Sequence, residues 1–593
     1  MLSSRLFPRL ALLSVCLIAI VPFASRFHYV PLPQWWGEIN VVWLTVLAAV
    51  LLLPATPALF DRVPRAAWWA LLAGLCWGLQ PWLVPVLFPG MSWATALAWA
   101  CMALLACVTV TLRERFGQRE LTVWLAWALL AGALLQSLIG MAQLTGLAEA
   151  TGGLLFYDHA HPTSNIFGHI GQRNQFAHYL MWGVLAGCYL HAAGKLPARW
   201  LWGLAAWLAL LLAWAGSRTI LLYLLALSVL ALVWHWRIGD TASRRLRNVL
   251  WISCVLILAA QFLLPWVNQL VSLLSHESVG GASGLERLAA NGDSMGSRRF
   301  AEMHKAWLVF RSHPLWGVGW SQFAAESVRL QPLPPFAAAG FNSGLFTNAH
   351  NLVLQLLAEM GGLVTLLVLG GFVWTVWPYF RERAELEHVL PLGGMAVTLI
   401  HSLLEYPLWY LYFLAVLVIF VALAPGPGVR LPRLARLPLW LGVAALGWLS
   451  LTGLTRYDEL LGLYTPLANA KANETRVARL AEIVETEPLF AFHALNTLDN
   501  YLQPTREQLP QKRRWLTRLA AFRPYPDVLL KKAQLEALAG DENAAEATLG
   551  AALASFPTYA PSFLNELDPR EPAWAGLRRA TEAARQKLPP QYR

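Results

Sequence analysis

A histidine at position 350 sits where a polar turn, Thr347-Asn348-Ala349-His350-Asn351, runs straight into an apolar stretch inside NSGLFTNAHNLVLQLLAEMGG, residues 342–362. On residue type alone it is either a spacer at a membrane surface or a reactive group, since a neutral imidazole can take a proton from a hydroxyl. Similar polar borders recur along the chain. Gly171-Gln172-Arg173-Asn174-Gln175-Phe176-Ala177-His178 opens another apolar run with consecutive amides and a guanidinium, groups suited to sugar hydroxyls and phosphate. The same residues also make an ordinary helix cap with interfacial neighbours. Arg218 follows a Gly216-Ser217 break between two apolar runs, where its fork can hold phosphate oxygens at two points or simply snorkel outward. Further on, Phe300, Met303, Trp307 and Phe310 recur at helical spacing beneath Arg298, Arg299, Lys305 and Arg311. That pattern describes an amphipathic helix lying on a membrane and offering cations to a lipid phosphate; a solvated basic face is the plain alternative. Asp158 and His161 are metal-ligand types, but no further ligands accompany them in the sequence and no metal site is assigned.

The elements that must position these residues are membrane helices. With 593 residues, only 13% charged, 57% hydrophobic, 30 Trp and a mean hydropathy of +0.48, the chain reads as an all-α polytopic membrane protein. Its six cysteines lie in apolar runs without a CxxC pair, which points away from a disulfide framework or a thiolate metal site. Apolar runs able to cross ~30 Å of hydrocarbon fall near 10–24, 38–56, 66–88, 92–111, 121–146, 175–193, 200–215, 219–234, 249–267, 350–376, 389–405, 409–424 and 437–454, about thirteen in all. Arg5 and Arg9 ahead of the first run could mark a secretory signal, but the later spans favour an uncleaved first helix.

Basic residues orient this set. Arg62/Arg65, Arg113/Arg115/Arg119, Lys195/Arg199, Arg237/Arg244/Arg245/Arg247, Arg381/Arg383 and Arg430/Arg433/Arg436 occupy every second connection, which makes those loops and the N-terminus cytoplasmic. The 147–174 loop, the 216–218 turn, the long 268–349 loop, the Glu405-Tyr406-Pro407 turn and the C-terminal tail then share the opposite, periplasmic side. Polar groups collected at one membrane face read as a site. Past residue 455 the hydropathy collapses, which divides the chain into a membrane domain, 1–455, and a soluble helical domain, 456–593. Within the latter, residues 527–539 and 542–555 flank an Ala-Gly-Asp turn at helix-pair spacing, a pattern like one tetratricopeptide unit. Such a unit binds peptides or caps the membrane domain.

Taken in order, GQRNQFAHYL, GSRT, SRRFAEMHKAWLVFRSHPLWGVGWSQF, NAHNLVLQLLAEMGG and HSLLEYPLWY resemble the bacterial O-oligosaccharyltransferases, the PglL-type protein glycosylation ligases, within the wider superfamily of O-antigen ligases and polymerases. The resemblance covers roughly residues 150–425. It implies a GT-C-like helical fold in the bacterial inner membrane and en bloc transfer of a preassembled glycan from undecaprenyl diphosphate to a Ser or Thr of a periplasmic protein such as pilin. No cofactor, no metal and no nucleic acid are implied; the partners are the lipid-linked glycan, the acceptor protein and membrane lipids. His350 matches the family's essential loop histidine, Arg218 and one of Arg298 and Arg299 match arginines assigned to the donor diphosphate, and Gln172 and Tyr406 match polar residues implicated in activity. Arg173 joins the donor-binding candidates, and Asn174, Asn351 and Glu405 stand as substrate-binding candidates.

The chemistry asks for these types. His350 would take the acceptor's proton, and a cap by Asn348 would bring the positive end of a helix close enough to favour the neutral ring. Arginines would stabilise the leaving diphosphate in place of a divalent ion, and direct displacement would invert the anomeric centre. Ligation to lipid A core, glycan polymerisation and non-catalytic transport of lipid or polysaccharide are the alternatives. Transport calls for charges along a path across the bilayer and for repeat symmetry, whereas these motifs stay at one face. Single cysteines at positions 116 and 241 should label from the cytoplasm and those at 290 and 560 from the periplasm; labelling of position 560 from the cytoplasm alone would remove a span and sink this topology.

Overall fold

The structure is a computed structural model describing residues 2–53, 62–161, 163–275, 281–289, 294–337, 344–426, 428–430 and 436–592. Position 290 and the Asn342-Ser343 start of the histidine motif lie outside the described residues. We number the helices of eight or more residues in order. The membrane-domain helices are α1 Leu2–Ile18, α2 Trp35–Leu52, α3 Arg65–Leu83, α4 Pro89–Phe116, α5 Gln118–Leu144, α6 Arg173–Ala192, α7 Ala198–Ala215, α8 Ile220–Ile238, α9 Thr241–Ser275, α10 Ser294–Ser312, α11 Phe323–Leu330, α12 Leu352–Val376, α13 Val389–Ser402 and α14 Leu411–Ala422. α15 Arg436–Leu463 leads into α16 Ala470–Thr486, α17 Ala491–Leu498, α18 Leu509–Ala520, α19 Pro526–Leu538, α20 Glu542–Ser555 and α21 Ala575–Gln586. A two-stranded antiparallel ribbon pairs Arg62 with Arg430 and Val63 with Val429.

Each of the thirteen apolar runs falls on one of these helices. Among the described residues seven, α2, α4, α5, α7, α8, α9 and α12, are long and apolar enough to cross a membrane, which makes the chain a polytopic helical membrane protein. The others differ for visible reasons. α13 and α14 have 14 and 12 residues, too short to span ~30 Å alone at ~1.5 Å per residue. α6 is buried without interruption from Gln175 to Leu190; facing protein and not lipid, it can carry His178 and Gln175 inside the bundle.

The ends of the bundle are chemically distinct. α13 begins near Trp234 and Arg237: the indole donates to Glu385 O at 2.9 Å, and the guanidinium donates to Tyr379 O and Phe380 O at 3.2 and 2.8 Å. Arg113, on α4, donates to Ala422 O at the C-terminal end of α14. The opposite ends of α12, α13 and α14 carry His350, Glu405 and Tyr406. The basic residues that orient the sequence and the polar motifs thus lie at opposite ends of the same helices.

Between α9 and α12 the long loop is largely helical, and α10 sits in it differently from the expected surface helix. Phe300 and Trp307 are exposed, at 72% and 43%, as a membrane-facing stripe requires. Ala306 and Val309 instead pack on Phe323, Leu330, Phe336, Ala349 and Ala358 in a small core. Lys305 is not on a solvated basic face. It is 1% exposed, and its ammonium donates to Glu302 Oε1 at 2.6 Å, Gln331 Oε1 at 2.6 Å and Ser327 Oγ at 3.1 Å. All three donors are used, the condition under which a buried ammonium is tolerated. This cluster fixes α10 against α11.

The HPLWGVGW segment explains the glycines of AEMGG. α12 breaks at Gly361, where φ is +76° and ψ is 174°, and the segment crosses the break. Val318 N donates to Ala358 O at 3.0 Å, Gly319 N to Glu359 O at 3.0 Å, and Gly362 N to Pro314 O at 2.8 Å. A Cβ on Gly361 would lie 2.1 Å from Leu315 O, and one on Gly317 would lie 2.3 Å from Glu359 C. Two backbones approach so closely that side chains are excluded.

The sequence boundary at 455 falls inside α15, which runs unbroken to Leu463. Leu460 belongs to the C-terminal core with Leu480, Leu495 and Leu516, and Phe88 and Val328 of the membrane domain enter that same core. α19 and α20 pack as the expected helix pair.

Gly361→Ala should destabilise the protein by on the order of 3 kcal/mol, combining left-handed backbone strain with a backbone clash. Gly370→Ala, in the same helix with nothing within 4 Å of a new Cβ, should be neutral or slightly stabilising. Thermal unfolding in detergent compares the two, and equal effects would contradict the threaded-kink packing.

Candidate functional site

A buried carboxylate organises the polar end of the bundle. Glu405 follows the end of α13, where its N–H donates to His401 O at 2.8 Å, and it is 2% exposed. Its Oε1 accepts from Asn174 Nδ2 at 2.8 Å and from Arg299 at 2.5 Å, and Gln172 also bonds to it. Residues from the α6 N-terminus, α10 and the α13–α14 turn therefore converge on one side chain. Burial pushes the Glu405 carboxyl up from its ordinary range while Arg299 and the amides oppose that shift; with a guanidinium at 2.5 Å we take the ion pair as the resting form.

His350 meets this group from the fourth side. Its Nε2 lies 3.7 Å from Glu405 Oε2, longer than a hydrogen bond. Its Nδ1 is 3.1 Å from Asn348 O; a carbonyl can only accept, so the ring proton resides on Nδ1 and the lone pair on Nε2. Phe346 and Tyr406 flank the ring edge-to-face, with centroids 5.4 and 5.2 Å away. His350 adopts φ +53°, a left-handed backbone uncommon outside glycine. Burial first, and the Arg299 cation second, push the imidazole down to about 4. Burial and Glu405 raise the Tyr406 phenol, which keeps it a hydrogen-bond donor.

The helix beside His350 is capped by Asn351, not Asn348. Asn351 Oδ1 accepts from Leu354 N at 3.0 Å, and its Nδ2 donates to Leu403 O at 3.0 Å, so both ends of this amide brace protein. Asn348 lies two residues before the histidine, and its amide turns to Thr347 Oγ1. Gln172 does cap α6, accepting from Gln175 N at 2.9 Å. Asp158 is engaged locally, with Ala160 N at 2.9 Å and Asn165 Nδ2 at 2.7 Å. Among the described residues, no three His, Cys, Asp or Glu side chains converge as metal ligands.

The arginines divide into two groups. Of the adjacent pair, Arg299 holds Glu405, while Arg298 is half-buried beside it. Arg218 sits half-buried on the α7–α8 turn. A residue that motif reading passes over links that turn to α6: Arg287, on the short helix Gly284–Ala289. A Cβ on Gly216 would lie 3.2 Å from Arg287 Nε, and one on Gly284 would lie 2.7 Å from Ser217 O, so this segment lies directly against the Gly-Ser-Arg turn. Arg173 feels Arg287 as a like charge and Asp158 as an opposite one. The segment is pinned by Gln261 Oε1, which accepts from Gly284 N at 2.9 Å, and by Asn268 Nδ2, which donates to Gly281 O at 2.9 Å. The sequence signal for Arg287 is weak, because a single cation in a short polar stretch has no period to mark it.

The arrangement is that of a polytopic membrane protein with a loop histidine, a buried carboxylate–arginine pair and further arginines at one end of its helices. Comparison with known proteins agrees. Residues 166–191 match the family described as protein glycosylation ligase, residues 203–370 the one described as O-antigen ligase, and residues 389–566 the one described as virulence factor membrane-bound polymerase, C-terminal. A general O-oligosaccharyltransferase of Acinetobacter baylyi is 28% identical over 294 residues, 49% of this chain and 48% of its own length. The chain thus spans about half the length of the curated relative it matches. Its similarity to PglL-type O-oligosaccharyltransferases, read from the ordered motifs, is borne out.

Since His350 is neutral down to about 4, its acylation by diethyl pyrocarbonate, followed by mass spectrometry, should stay near its full rate at pH 6.5 and fall by half only near pH 4. Arg299→Gln removes a cation that disfavours the imidazolium, so the midpoint should rise towards 6.5. A wild-type midpoint at 6.5 would contradict this environment.

Proposed function

We propose that this chain transfers a preassembled oligosaccharide en bloc from undecaprenyl diphosphate to a Ser or Thr hydroxyl of an exported protein, such as a pilin. The reaction takes place at the periplasmic face of a bacterial inner membrane that the chain crosses about thirteen times. The observation that carries this reading is the His350 Nε2 lone pair held 3.7 Å from buried Glu405, itself paired with Arg299. The protein-ligase assignment is supported by the match over residues 166–191 and by the relative's name.

In the proposed step, the acceptor hydroxyl gives its proton to Nε2 as its oxygen attacks the anomeric carbon. The bond from that carbon to the diphosphate oxygen breaks, inverting the centre, and polyprenyl diphosphate leaves with the electron pair. Nδ1 keeps its proton on Asn348 O, and the new Nε2–H faces the Glu405 carboxylate, which stabilises the imidazolium. A ring held down to about 4 is a weak base at rest. Donor binding changes that: two phosphate charges offset the Arg299 field and raise the proton affinity of His350 when the acceptor is in place. Arg218, Arg298, Arg299 and Arg173 supply the positive field at the leaving group, where a guanidinium fork matches phosphate geometry without a metal ion. Asn174 and Glu405 orient Arg299 and His350, Asn351 fixes the start of α12, Gln172 fixes that of α6, and Tyr406 offers a hydroxyl beside the ring. The helical C-terminal domain, read as tetratricopeptide-like, faces the same compartment.

His350→Ala should abolish transfer, by ~10³-fold or more as expected for a lost base, while insertion and protein amount stay normal. Near-normal turnover would reduce His350 to a spacer. The match of residues 389–566 to a polymerase family makes the acceptor the deciding variable. Purified protein should be given a polyprenyl diphosphate glycan together with pilin, lipid A core or a second lipid-linked glycan, with and without chelator. Transfer to pilin alone, unaffected by chelator, is the expected result; extension of the lipid-linked glycan alone makes the chain a polymerase, and modification of lipid A core alone makes it an O-antigen ligase.

A further inference from the structure

Arg523 belongs to the C-terminal helical domain by sequence, yet its guanidinium is spent on the membrane domain. It follows the end of α18, where its N–H donates to Leu519 O at 2.7 Å, and it is 7% exposed. One guanidinium nitrogen donates to Ser321 O and the other to Ser321 Oγ. The cation lies over Phe522, 4.2 Å from its centroid, and 5.6 Å from that of Phe492. These two rings pack on Phe88, at 4.9 and 5.7 Å, from the loop between α3 and α4. A buried guanidinium that stacks on aromatics and grips one residue at two points is a specific attachment, and Lys cannot reproduce its fork.

What Arg523 grips matters more than the grip. Ser321 ends the HPLWGVGWS segment and has φ +66°, a conformation that persists only where its surroundings impose it. On its other side are Trp320, whose N–H donates to Gln80 Oε1 at 2.9 Å, and Phe323, whose N–H donates to Glu359 Oε1 at 2.9 Å. Ser321 N also bonds to the Glu359 side chain. Glu359 is 0% exposed, its Oε2 has no hydrogen-bond partner among the described residues, and Arg523 and Glu359 attract one another. Glu359 stands on α12 nine residues after His350 and two before the break at Gly361. Its carbonyl accepts from Gly319 N and from Gln80 Nε2. One chain of contacts therefore runs from the C-terminal domain through Ser321 and Glu359 into the helix that begins two residues after the proposed base.

We infer that Arg523 is a positioning residue for the His350 site: by holding Ser321 and facing the buried charge of Glu359, it sets the register of the 313–323 segment on the kink of α12. The C-terminal domain is then a working part of the transfer centre and not only a holder for the acceptor. Buried Glu359 needs a cation on one side and backbone donors on the other, and the two come from different domains. Loss of Arg523 releases Ser321 and removes the cation that attracts the buried Glu359 side chain, and the first turn of α12 carries that change to His350. This inference rests on the transferase reading above.

The test uses full-length protein in lipid nanodiscs with a polyprenyl diphosphate oligosaccharide and an acceptor polypeptide. Arg523→Ala should lower kcat by roughly tenfold or more per folded molecule while the acceptor KM stays within about threefold, as expected when a group near 1 Å from its place loses rate and not binding. Arg523→Lys should recover part of the loss. Adding Glu359→Gln to Arg523→Ala should recover more, because it removes the charge left without a counter-ion. Wild-type kcat per folded molecule in Arg523→Ala, with only yield and Tm reduced, would overturn the inference by making the contact structural. A raised acceptor KM at unchanged kcat would also overturn it, returning the domain to the role of a holder. Should Arg523→Ala fail to accumulate, Ser321→Ala removes one partner alone and should show the same kcat loss at about two- to fivefold scale. Thermal unfolding of the Arg523/Glu359 double-mutant cycle needs no substrate: additive shifts sink the inference, whereas absence of any transfer by wild-type protein sinks the transferase reading instead.

Discussion

A carboxylate with 2% of its surface exposed, Glu405, is the constraint around which the polar end of this protein is assembled. An ionised carboxylate in such a place is unstable unless hydrogen bonds and an opposite charge surround it. Gln172 and Asn174 come from the cap and first turn of α6, Arg299 from α10, and His350 from the residue before the cap of α12. None of these elements adjoins Glu405 in sequence. The requirement to satisfy one buried charge brings segments of four helices to one point, and in the proposed reaction the same charge would face an imidazolium once His350 takes a proton.

A second constraint keeps that point from drifting. The 313–323 segment is threaded over a break in α12 at Gly361, so closely that backbone atoms occupy the space where side chains would stand. The segment is held from below by Gln80 and from above by Arg523. Close packing of this kind transmits displacement, because a protein interior is dense and compresses little. α10 is tied into the same assembly by fully bonded Lys305, six residues along the helix from Arg299. The histidine, the arginine and the carboxylate are therefore supported by groups outside their own cluster.

The three family matches divide the assembly in an informative way. The protein glycosylation ligase match covers Gln172 and Asn174, the O-antigen ligase match covers Arg218, Arg299 and His350, and the polymerase match covers Glu405, Tyr406 and much of the C-terminal domain. In the reaction proposed above, the pieces would share one chemistry, activation of a hydroxyl beside a cationic field, that could serve any of these acceptors. What separates the acceptors must lie in the surfaces around the site.

Hydropathy determined the helices, because a run of apolar side chains can rest only in lipid or in a protein core, and each of the thirteen runs overlaps a helix among the described residues. The order of the motifs determined the relationship to known transferases, and His350, Arg299, Gln172, Asn174 and Glu405, singled out one by one from sequence, stand together. Pattern could not reveal the pairings. That Glu405 is buried under Arg299, that Asn351 and not Asn348 caps α12, that Lys305 points into protein, that Arg287 rests on the Gly216 turn and that Arg523 crosses between domains all depend on contacts between residues up to hundreds of positions apart. Periodicity reports which face of a helix avoids water, a local property of the side chains; which partner a polar group finds on the dry side is decided only when the helices pack, since there alone must every buried charge and hydrogen-bonding group be matched.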